Sequence, residues 1–165
     1  MNDAGNNGAV SLRDVTESDA AILFQQQLDP VANWMAAFTP QDPGDWAAFI
    51  ARWERMLNSD TIRMKTVLEG DAVAGSVLVY EEDGRWEVSY WLGREFWGRS
   101  IATRALMLFL DEEETRPLCA RVVKDNVGSL RVLQKCGFVI VGEDSGFANA
   151  REAEVEEFVL ALEQA

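Results

Sequence analysis

One stretch, from Tyr90 to Leu106, constrains the fold of this chain more than any other. The apolar positions that alternate before its loop, as they do in a strand, are Trp86, Val88, Tyr90 and Leu92. The apolar positions that recur after the loop at helical spacing are Ile101, Ala102, Ala105, Leu106, Phe109 and Leu110. The stretch is therefore predicted to contain the end of a strand, a short loop and the start of a helix.

The loop contains two small residues, Gly98 and Ser100, which allow a ligand to approach the backbone. A helix N-terminus carries unpaired N–H groups and a partial positive charge, so the loop is a candidate site for a phosphate or pyrophosphate. The alternative is an ordinary strand-to-helix turn. The loop lacks both the Gly-Lys-Ser/Thr of a Walker A loop and the three-glycine spacing of a dinucleotide fingerprint.

The chain has 165 residues, and 48% of them are hydrophobic, which is enough for a folded domain with a core. Residues 1–9 are rich in Asn and Gly and are predicted to form a loose tail. Residues 10–165 show no internal repeat, low-complexity segment or linker. They are predicted to form a single domain.

The net charge is −13, from 15 basic and 28 acidic residues. Nucleic-acid binding needs clustered Lys and Arg side chains, so no nucleic-acid partner is expected. An acidic protein attracts a cationic substrate through its electrostatic field. The alternative is that the charge serves only solubility.

Histidine is absent, and cysteine occurs only at Cys119 and Cys136. This composition argues against a zinc site and against Ser-His or Cys-His nucleophiles, so no metal is expected. Both cysteines are predicted to be buried free thiols of a cytoplasmic protein. Neither a signal peptide nor an apolar segment of membrane-spanning length is evident, so no membrane partner is expected.

Hydrophobic periodicity and turn residues predict the remaining elements. In chain order they are strand 10–15, helix 16–28, helix 43–57, strands 61–69, 73–80 and 85–92, a helix from Gly98 to about Glu114, strand 118–123, a helix from residue 126 to 136, and strands 138–141 and 154–162. Residues 31–41 show no clear period, and residues 143–151 are predicted to be a loop. This order predicts a mixed sheet with helices on its faces.

The helix over residues 43–57 is expected to have Asp42 as N-cap and Pro43 at its first position. An aromatic and aliphatic stripe follows one side of it, at Trp46, Phe49, Ile50, Trp53, Met56 and Leu57. The stripe is interpreted either as core packing or as one wall of a substrate pocket.

The sequence resembles the GNAT superfamily of acetyl-CoA-dependent N-acetyltransferases over roughly Val10–Leu162, most closely the branch of ribosomal-protein and amino-acid-derivative acetyltransferases. Two blocks, Tyr90–Thr103 and Asn126–Phe138, carry the resemblance in the family's order and separation. It implies an α+β three-layer fold: a mixed, mostly antiparallel seven-stranded sheet with a central splay, flanked by about four helices. It also implies acetyl-CoA as cosubstrate, without a metal.

The family's pyrophosphate loop follows the pattern Gln/Arg-x-x-Gly-x-Gly/Ala, and the matching residues here are Glu95, Gly98 and Ser100. Backbone donors do most of the anion binding, so acetyl-CoA binding is expected to survive the replacement at Glu95. The resemblance assigns the following residues to the cofactor: Trp91, Leu92, Arg94, Phe96, Trp97, Gly98, Arg99, Ser100, Ile101, Ala102, Thr103, Asn126, Ser129 and Lys135. For the three basic residues of this set, a surface role is the alternative.

Catalysis is assigned to two residues. The resemblance places Ser129 near the sulfur of CoA. Many relatives use a tyrosine as the acid for the leaving thiolate, but the helix that carries Ser129 has no tyrosine, so the acid is Ser129, water or no group. Glu87 is the candidate base, since it precedes Trp91 by four residues on one strand, and alternation puts both side chains on one face. The alternative for Glu87 is a solvated strand residue paired with Arg85 or a cross-strand cation.

The function implied by the resemblance is transfer of an acetyl group to a primary amine of a small molecule or protein N-terminus, by direct attack on the thioester. Trp34, Phe38 and Glu87 are the candidate acceptor-binding residues, and Glu143 and Asp144 are reserve bases. Assembly as a homodimer is compatible with such a chain. The alternatives are a CoA-sensing domain without catalysis and a nucleotide-binding regulatory module.

Overall fold

The computed structural model describes residues 8–163, and within them the chain forms a seven-stranded sheet with five α-helices. The strands are β1 Val10–Asp14, β2 Arg63–Glu69, β3 Ala72–Glu82, β4 Arg85–Leu92, β5 Leu118–Val123, β6 Val139–Ala148 and β7 Ala153–Leu162. The helices are α1 Asp19–Gln27, α2 Pro30–Ala36, α3 Trp46–Leu57, α4 Ile101–Glu112 and α5 Val127–Lys135, with a short 3₁₀ turn at Arg94–Phe96. The predicted mixed α+β fold is confirmed.

The strand order in the sheet is β1-β2-β3-β4-β5-β7-β6. All neighbouring strands are antiparallel except β4 and β5, which are parallel and meet at a single pair, Glu87 with Cys119. The predicted central splay lies here, because the two strands separate beyond this pair. No helix in residues 8–163 is long and apolar enough to cross a membrane.

The main hydrophobic core packs α4 and α5 against the sheet, around fully buried Ile101, Leu106 and Phe138. A smaller cluster joins α1 to α3, where Phe49 and Trp53 are buried. Because neither of these two aromatic residues lines the main cleft, the aromatic stripe of α3 serves core packing rather than a substrate pocket.

Helix α2 was not predicted, because residues 31–41 show no period. Its N-terminus is nevertheless well specified: the side chain of Asp29 accepts a hydrogen bond from the backbone N–H of Val31 at 2.9 Å, and Pro30 occupies the first helical turn. The described part of the chain therefore contains five α-helices, where about four were expected.

The predicted start of α3 is wrong by three residues. Asp45, not Asp42, is the N-cap, and its carboxylate accepts a hydrogen bond from the N–H of Ala48 at 3.0 Å. Asp42 instead accepts from the N–H of Gly44 at 3.0 Å and closes a turn before the helix. Both aspartates are good caps, and the sequence alone did not distinguish them.

The loop predicted for residues 143–151 is also wrong over most of its length. Strand β6 continues to Ala148 and stays paired with β7 to the end, where Ala148 faces Ala153. The segment Glu143–Gly146 has weak intrinsic strand propensity, and pairing with the apolar strand β7 overrides it. A bulge between Ile140 and Gly142 absorbs the change of register.

Candidate active site

A cleft of about 890 Å³ opens where β4 and β5 separate. After Glu87, β4 remains paired with β3 on one side, where Tyr90 faces Val77 and Leu92 faces Gly75. On its other side this stretch has no partner strand, because β5 has turned away. Its backbone N–H and C=O groups on that side are therefore available to pair with an extended ligand.

Most of the residues assigned to the cofactor line this cleft. They are Trp91, Leu92, Phe96, Trp97, Gly98, Ser100, Ile101, Ala102, Thr103, Asn126, Ser129 and Lys135. They come from the end of β4, the loop before α4, the first turn of α4 and both ends of α5, where Asn126 and Ser129 lie at the start and Lys135 is the last residue.

The loop before α4 has the geometry of an anion site. Gly98 has φ 75°, and a Cβ added to it would meet no heavy atom within 4 Å, so the backbone here is open to a ligand. Ser100 is the N-cap of α4 at φ 60°, and its side chain makes no capping hydrogen bond. The helix N–H groups are thus left for a ligand, as a pyrophosphate requires.

Two of the assigned basic residues, Arg94 and Arg99, do not line the cleft. Arg94 forms an ion pair with Asp29 at 2.9 Å, and this contact ties the loop to the N-terminus of α2. Arg99 bonds to Glu69 at 2.8 Å and stacks over the ring of Phe96. Both side chains therefore anchor the loop to neighbouring elements, as the surface alternative anticipated.

Asn126 and Ser129 are joined at the start of α5. The Asn126 side chain caps the helix, accepting a hydrogen bond from the N–H of Ser129 at 3.2 Å, and it donates to the carbonyl of Met35 on α2 at 3.4 Å. The Ser129 hydroxyl lies 2.7 Å from the phenol oxygen of Tyr90, which also lines the cleft.

Tyr90 also contributes a polar group to the cleft. Sequence reasoning missed this hydroxyl, because it treated Tyr90 only as an apolar position of β4. Burial raises its pKa to about 12, although the hydrogen bond with Ser129 acts in the opposite direction. Tyr90 is therefore a neutral phenol near pH 7, able to donate a hydrogen bond to Ser129. No sequence spacing relates β4 to α5, so this pair could be found only in the folded chain.

The opposite end of the cleft is built from charged side chains. Arg121 of β5 donates hydrogen bonds to Asp144 and Glu157 at 2.9 Å each and to Glu87 at 3.0 Å. The bonds to Asp144 and Glu157 raise the pKa of Arg121 further above its ordinary value. Sequence reasoning missed Arg121 and Glu157, although a lone arginine in the apolar strand Leu118–Val123 is a readable signal.

Glu87 does not line the main cleft. It lies in the wall of an adjoining cavity of about 440 Å³, together with Glu82, Asp83, Arg85 and Arg121. Its side chain is 5% exposed, and Oε1 accepts from Arg121 while the buried Oε2 has no hydrogen-bond partner. Glu87 thus pairs with a cross-strand cation, yet it is buried rather than solvated.

Arg121 lines both cavities, so the main cleft and the smaller cavity adjoin at this residue. The reserve bases lie farther out: Asp144 is bonded to Arg121, and Glu143 forms an ion pair with Lys124 at 3.0 Å. Both belong to β6 and are largely exposed.

The two acceptor-binding candidates before α3 behave differently. Phe38 lines the cleft, together with the α2 residues Ala32, Met35 and Ala36, which sequence reasoning missed. Trp34 is 53% exposed and outside the cleft lining; Arg151 stacks on its ring and donates to its carbonyl at 2.9 Å. Trp34 therefore fastens α2 to the turn between β6 and β7.

Comparison with known proteins decides the family. Residues 10–139 match the family model described as an acetyltransferase (GNAT) domain. The chain belongs to the GNAT acetyltransferase family. It is an N-acetyltransferase, as predicted. A curated relative, the uncharacterized N-acetyltransferase p20 of Bacillus licheniformis, is 24% identical over 163 residues, covering 93% of this chain and 92% of the relative.

Solved structures of similar fold include other acetyltransferases. Spermidine N-acetyltransferase from Vibrio cholerae, in complex with CoA and spermine, superposes with a TM-score of 0.79 at 16% identity, covering 94% of this chain and 95% of the other. The ribosomal L7/L12 alpha-N-protein acetyltransferase RimL, in complex with coenzyme A, has a TM-score of 0.77 at 17% identity, covering 91% and 92%. At these identities the likeness supports the fold.

Proposed function

We propose that this GNAT protein transfers the acetyl group of acetyl-CoA to a primary amine of a small molecule or protein N-terminus, by direct attack of the amine on the thioester. The observation that carries the proposal is the cleft at the β4–β5 splay. It runs from an uncapped helix N-terminus at one end to the ion cluster around Arg121 at the other, past the unpaired edge of β4. Acetyl-CoA supplies the electrophilic thioester carbonyl.

The anion-binding end suits the phosphate part of CoA. The loop at Gly98 and the first turn of α4 line the cleft, where a helix N-terminus favours an anion, and Lys135 adds a positive charge to the same lining. Around Trp91 and Leu92 the unpaired edge of β4 suits the amide groups of the pantetheine arm. Together these groups position the thioester near Tyr90 and Ser129.

Ser129 is the group proposed to assist the departing sulfur. As the amine nitrogen bonds to the carbonyl carbon and the C–S bond breaks, the Ser129 hydroxyl donates a hydrogen bond to the thiolate. In this proposal the Tyr90 phenol, whose oxygen lies 2.7 Å from that of Ser129, donates in turn to Ser129 and holds its hydroxyl in place. Ser129 and Tyr90 together thus take the role of the acid, for which helix α5 has no tyrosine.

Glu87 is proposed to accept the proton that the amine must lose. Its Oε2 has no partner and is free to take a proton, directly or through one water molecule, while Arg121 fixes Oε1. The positive charge of Arg121 also lowers the pKa of an amine bound beside it, which favours the neutral nucleophile. The reacting nitrogen is thus placed at the junction of the two cavities.

The acceptor classes to test come from the relatives' names. One solved neighbour is a spermidine N-acetyltransferase and another acetylates ribosomal L7/L12, so polyamines and peptide N-termini both belong in a substrate panel. The strongly acidic charge of −13 supports a cationic acceptor over an anionic one.

The direct test is release of free CoA thiol from acetyl-CoA in the presence of an amine panel, followed by mass detection of the acetylated amine. We expect turnover with at least one cationic amine, and a loss of kcat of roughly tenfold to a hundredfold in Ser129→Ala and Tyr90→Phe. Ser145→Ala, on β6 outside the cleft lining, is the matched control. Tight binding of acetyl-CoA without turnover of any amine would instead indicate a CoA-sensing domain.

A further inference from the structure

The smaller cavity brings a second carboxyl group to the proposed base. In the register of the β3–β4 hairpin, Glu82 faces Arg85 and Glu87 faces Tyr80. Because side chains alternate along a strand, these four side chains project from one face of the sheet, with the two glutamates at diagonal positions. Both glutamates line the cavity of about 440 Å³. The hairpin therefore makes their carboxyl groups neighbours.

This neighbour explains the unpaired oxygen of Glu87. Glu87 is 4% exposed, and although Oε1 accepts from Arg121 at 3.0 Å, the buried Oε2 has no hydrogen-bond donor. Ionised carboxylates only accept, so two of them form a hydrogen bond only when one carries a proton. Hydrogen bonding with Glu87 raises the pKa of Glu82, and the negative charge of Glu87 acts in the same direction. The two groups are therefore arranged to hold one proton between them.

The two glutamates differ in their access to water. Glu87 is enclosed beside Arg121, the residue at which the cavity adjoins the main cleft. Glu82 is exposed at the end of the hairpin. A proton on Glu82 exchanges with water directly, whereas a proton on Glu87 is shielded from it. The pair thus connects the reacting end of the cleft to the protein surface.

Other titratable and charged groups surround the pair. Burial, followed by the charge of Glu87, raises the pKa of Tyr80, so its phenol stays neutral and does not titrate with the pair. The carboxylate of Glu82 offsets part of the positive charge that Arg121 places beside Glu87. The remaining groups are Asp83 in the turn, Arg85 on β4, Cys119 on β5 and, across Arg121, Asp144 on β6 and Glu157 on β7.

We infer that Glu82 and Glu87 act as one proton-accepting pair, in which Glu87 takes the proton from the amine and Glu82 releases it to water. The inference rests on the proposed acetyl transfer, because it extends the role of Glu87 in that reaction. As the amine attacks the thioester, its N–H bond breaks and an O–H bond forms at Oε2 of Glu87. That O–H bond breaks in turn as the proton passes to the carboxylate of Glu82. Water at the surface then takes up the proton, and both glutamates are ionised again for the next turnover.

The first test follows the side-chain carboxyl NMR signals of the glutamates against pH in the free protein, without any amine. We expect Glu82 and Glu87 to titrate together in two steps, the upper one above the ordinary glutamate value of ~4.3. In Glu82→Gln the upper step should be lost, and Glu87 should titrate in a single step. Glu81→Gln is the matched control and should keep both steps, since Glu81 faces Trp86 on the opposite side of the sheet, outside the cavity wall.

The second test is the pH–rate profile for an amine that the substrate panel shows to be acetylated. In Glu82→Gln we expect kcat at neutral pH to fall about tenfold, and the acid limb, which reports ionisation of the pair, to move to lower pH. A merely structural role of Glu82 would lower kcat without moving that limb. Glu81→Gln should keep the profile of the unmodified protein.

Separate single-step titrations of Glu82 and Glu87, or an acid limb that stays in place in Glu82→Gln, would overturn the inference while leaving acetyl transfer intact. If no amine of the panel is acetylated, the proposed function is in question, and the titration in the free protein alone decides the carboxyl pair. A two-step titration that Glu82→Gln abolishes and Glu81→Gln preserves then supports the pair, and any other pattern overturns it.

Discussion

The two ends of the cleft are built by different means. At the α4 end the cleft is lined by the backbone of the loop, whose conformation is set by the positive φ angles of Gly98 and Ser100. At the β5 end it is lined by the side chains of Arg121 and Glu157, and Glu87 lies in the adjoining cavity. A backbone site depends on conformation and tolerates side-chain change, whereas an ion cluster depends on the identity of each charged residue.

The largest effect is expected at the side-chain end, from Glu87→Gln. The change keeps the shape but removes the base, so kcat at neutral pH should fall by ~10²–10⁴-fold. The loss should be smaller at high pH, where free amine is abundant. A pH–rate profile measured beside that of Glu81→Gln tests this, with thermal unfolding of both variants to confirm the fold. An unchanged profile would mean that Glu87 is not the base and that catalysis relies on positioning a neutral amine.

The next effect is expected at the backbone end, from Gly98→Val. A β-branched residue is strained at φ 75°, and its side chain would occupy the open space of the anion site. The affinity for acetyl-CoA, measured by calorimetry, should fall by about tenfold or more, with the fold retained.

Gly84→Val is the matched control for that change. Gly84 also has a positive φ, 78°, and nothing within 4 Å of an added Cβ, but it lies in the β3–β4 turn away from the anion loop. It should lose a similar amount of stability and keep its affinity for acetyl-CoA. Equal affinity in the two variants would remove the Gly98 loop from the cofactor site.

Ionic strength is expected to have a smaller effect, through the steering of a cationic acceptor. Raising the ionic strength from 0.01 M to 0.1 M shortens the Debye length from ~30 Å to ~10 Å, so steering of a cationic acceptor weakens. We expect kcat/KM for a polyamine of the substrate panel to fall roughly threefold over this range, while the zwitterion 4-aminobutanoate changes little. If the polyamine is equally insensitive to salt, the charge of −13 serves only solubility.

The smallest effect is expected from Ser100→Gly. Ser100 sits at φ 60° and its side chain does not cap α4, so glycine removes a strained conformation without removing a hydrogen bond. The free energy of unfolding should rise by about 1 kcal/mol, and the affinity for acetyl-CoA should stay equal or improve slightly. Denaturant unfolding and calorimetry measure both quantities. A severe loss of affinity would show that the serine hydroxyl itself contacts the ligand.

The backbone end of the cleft could be predicted from the sequence because its information is local. The alternation up to Leu92, the small residues Gly98 and Ser100 and the helical period from Ile101 lie within one short stretch. Strand β5 was predicted with the bounds that the structure shows, Leu118–Val123, for the same reason. Patterns of this kind are set by the chain's immediate neighbours and survive in any fold that contains them.

The side-chain end was decided by tertiary structure. Glu87, Arg121, Asp144 and Glu157 come from four strands, and their contact depends on the order β4-β5-β7-β6 and on the registers between these strands. The same holds for the pair of Tyr90 with Ser129 and for the length of β6, whose polar half is a strand only because β7 pairs with it. The sequence by itself determined the helix, the turn and the anion loop, since these follow from local backbone preference. Which charged groups meet, and which buried oxygen stays without a partner, follows only from the packing of distant segments.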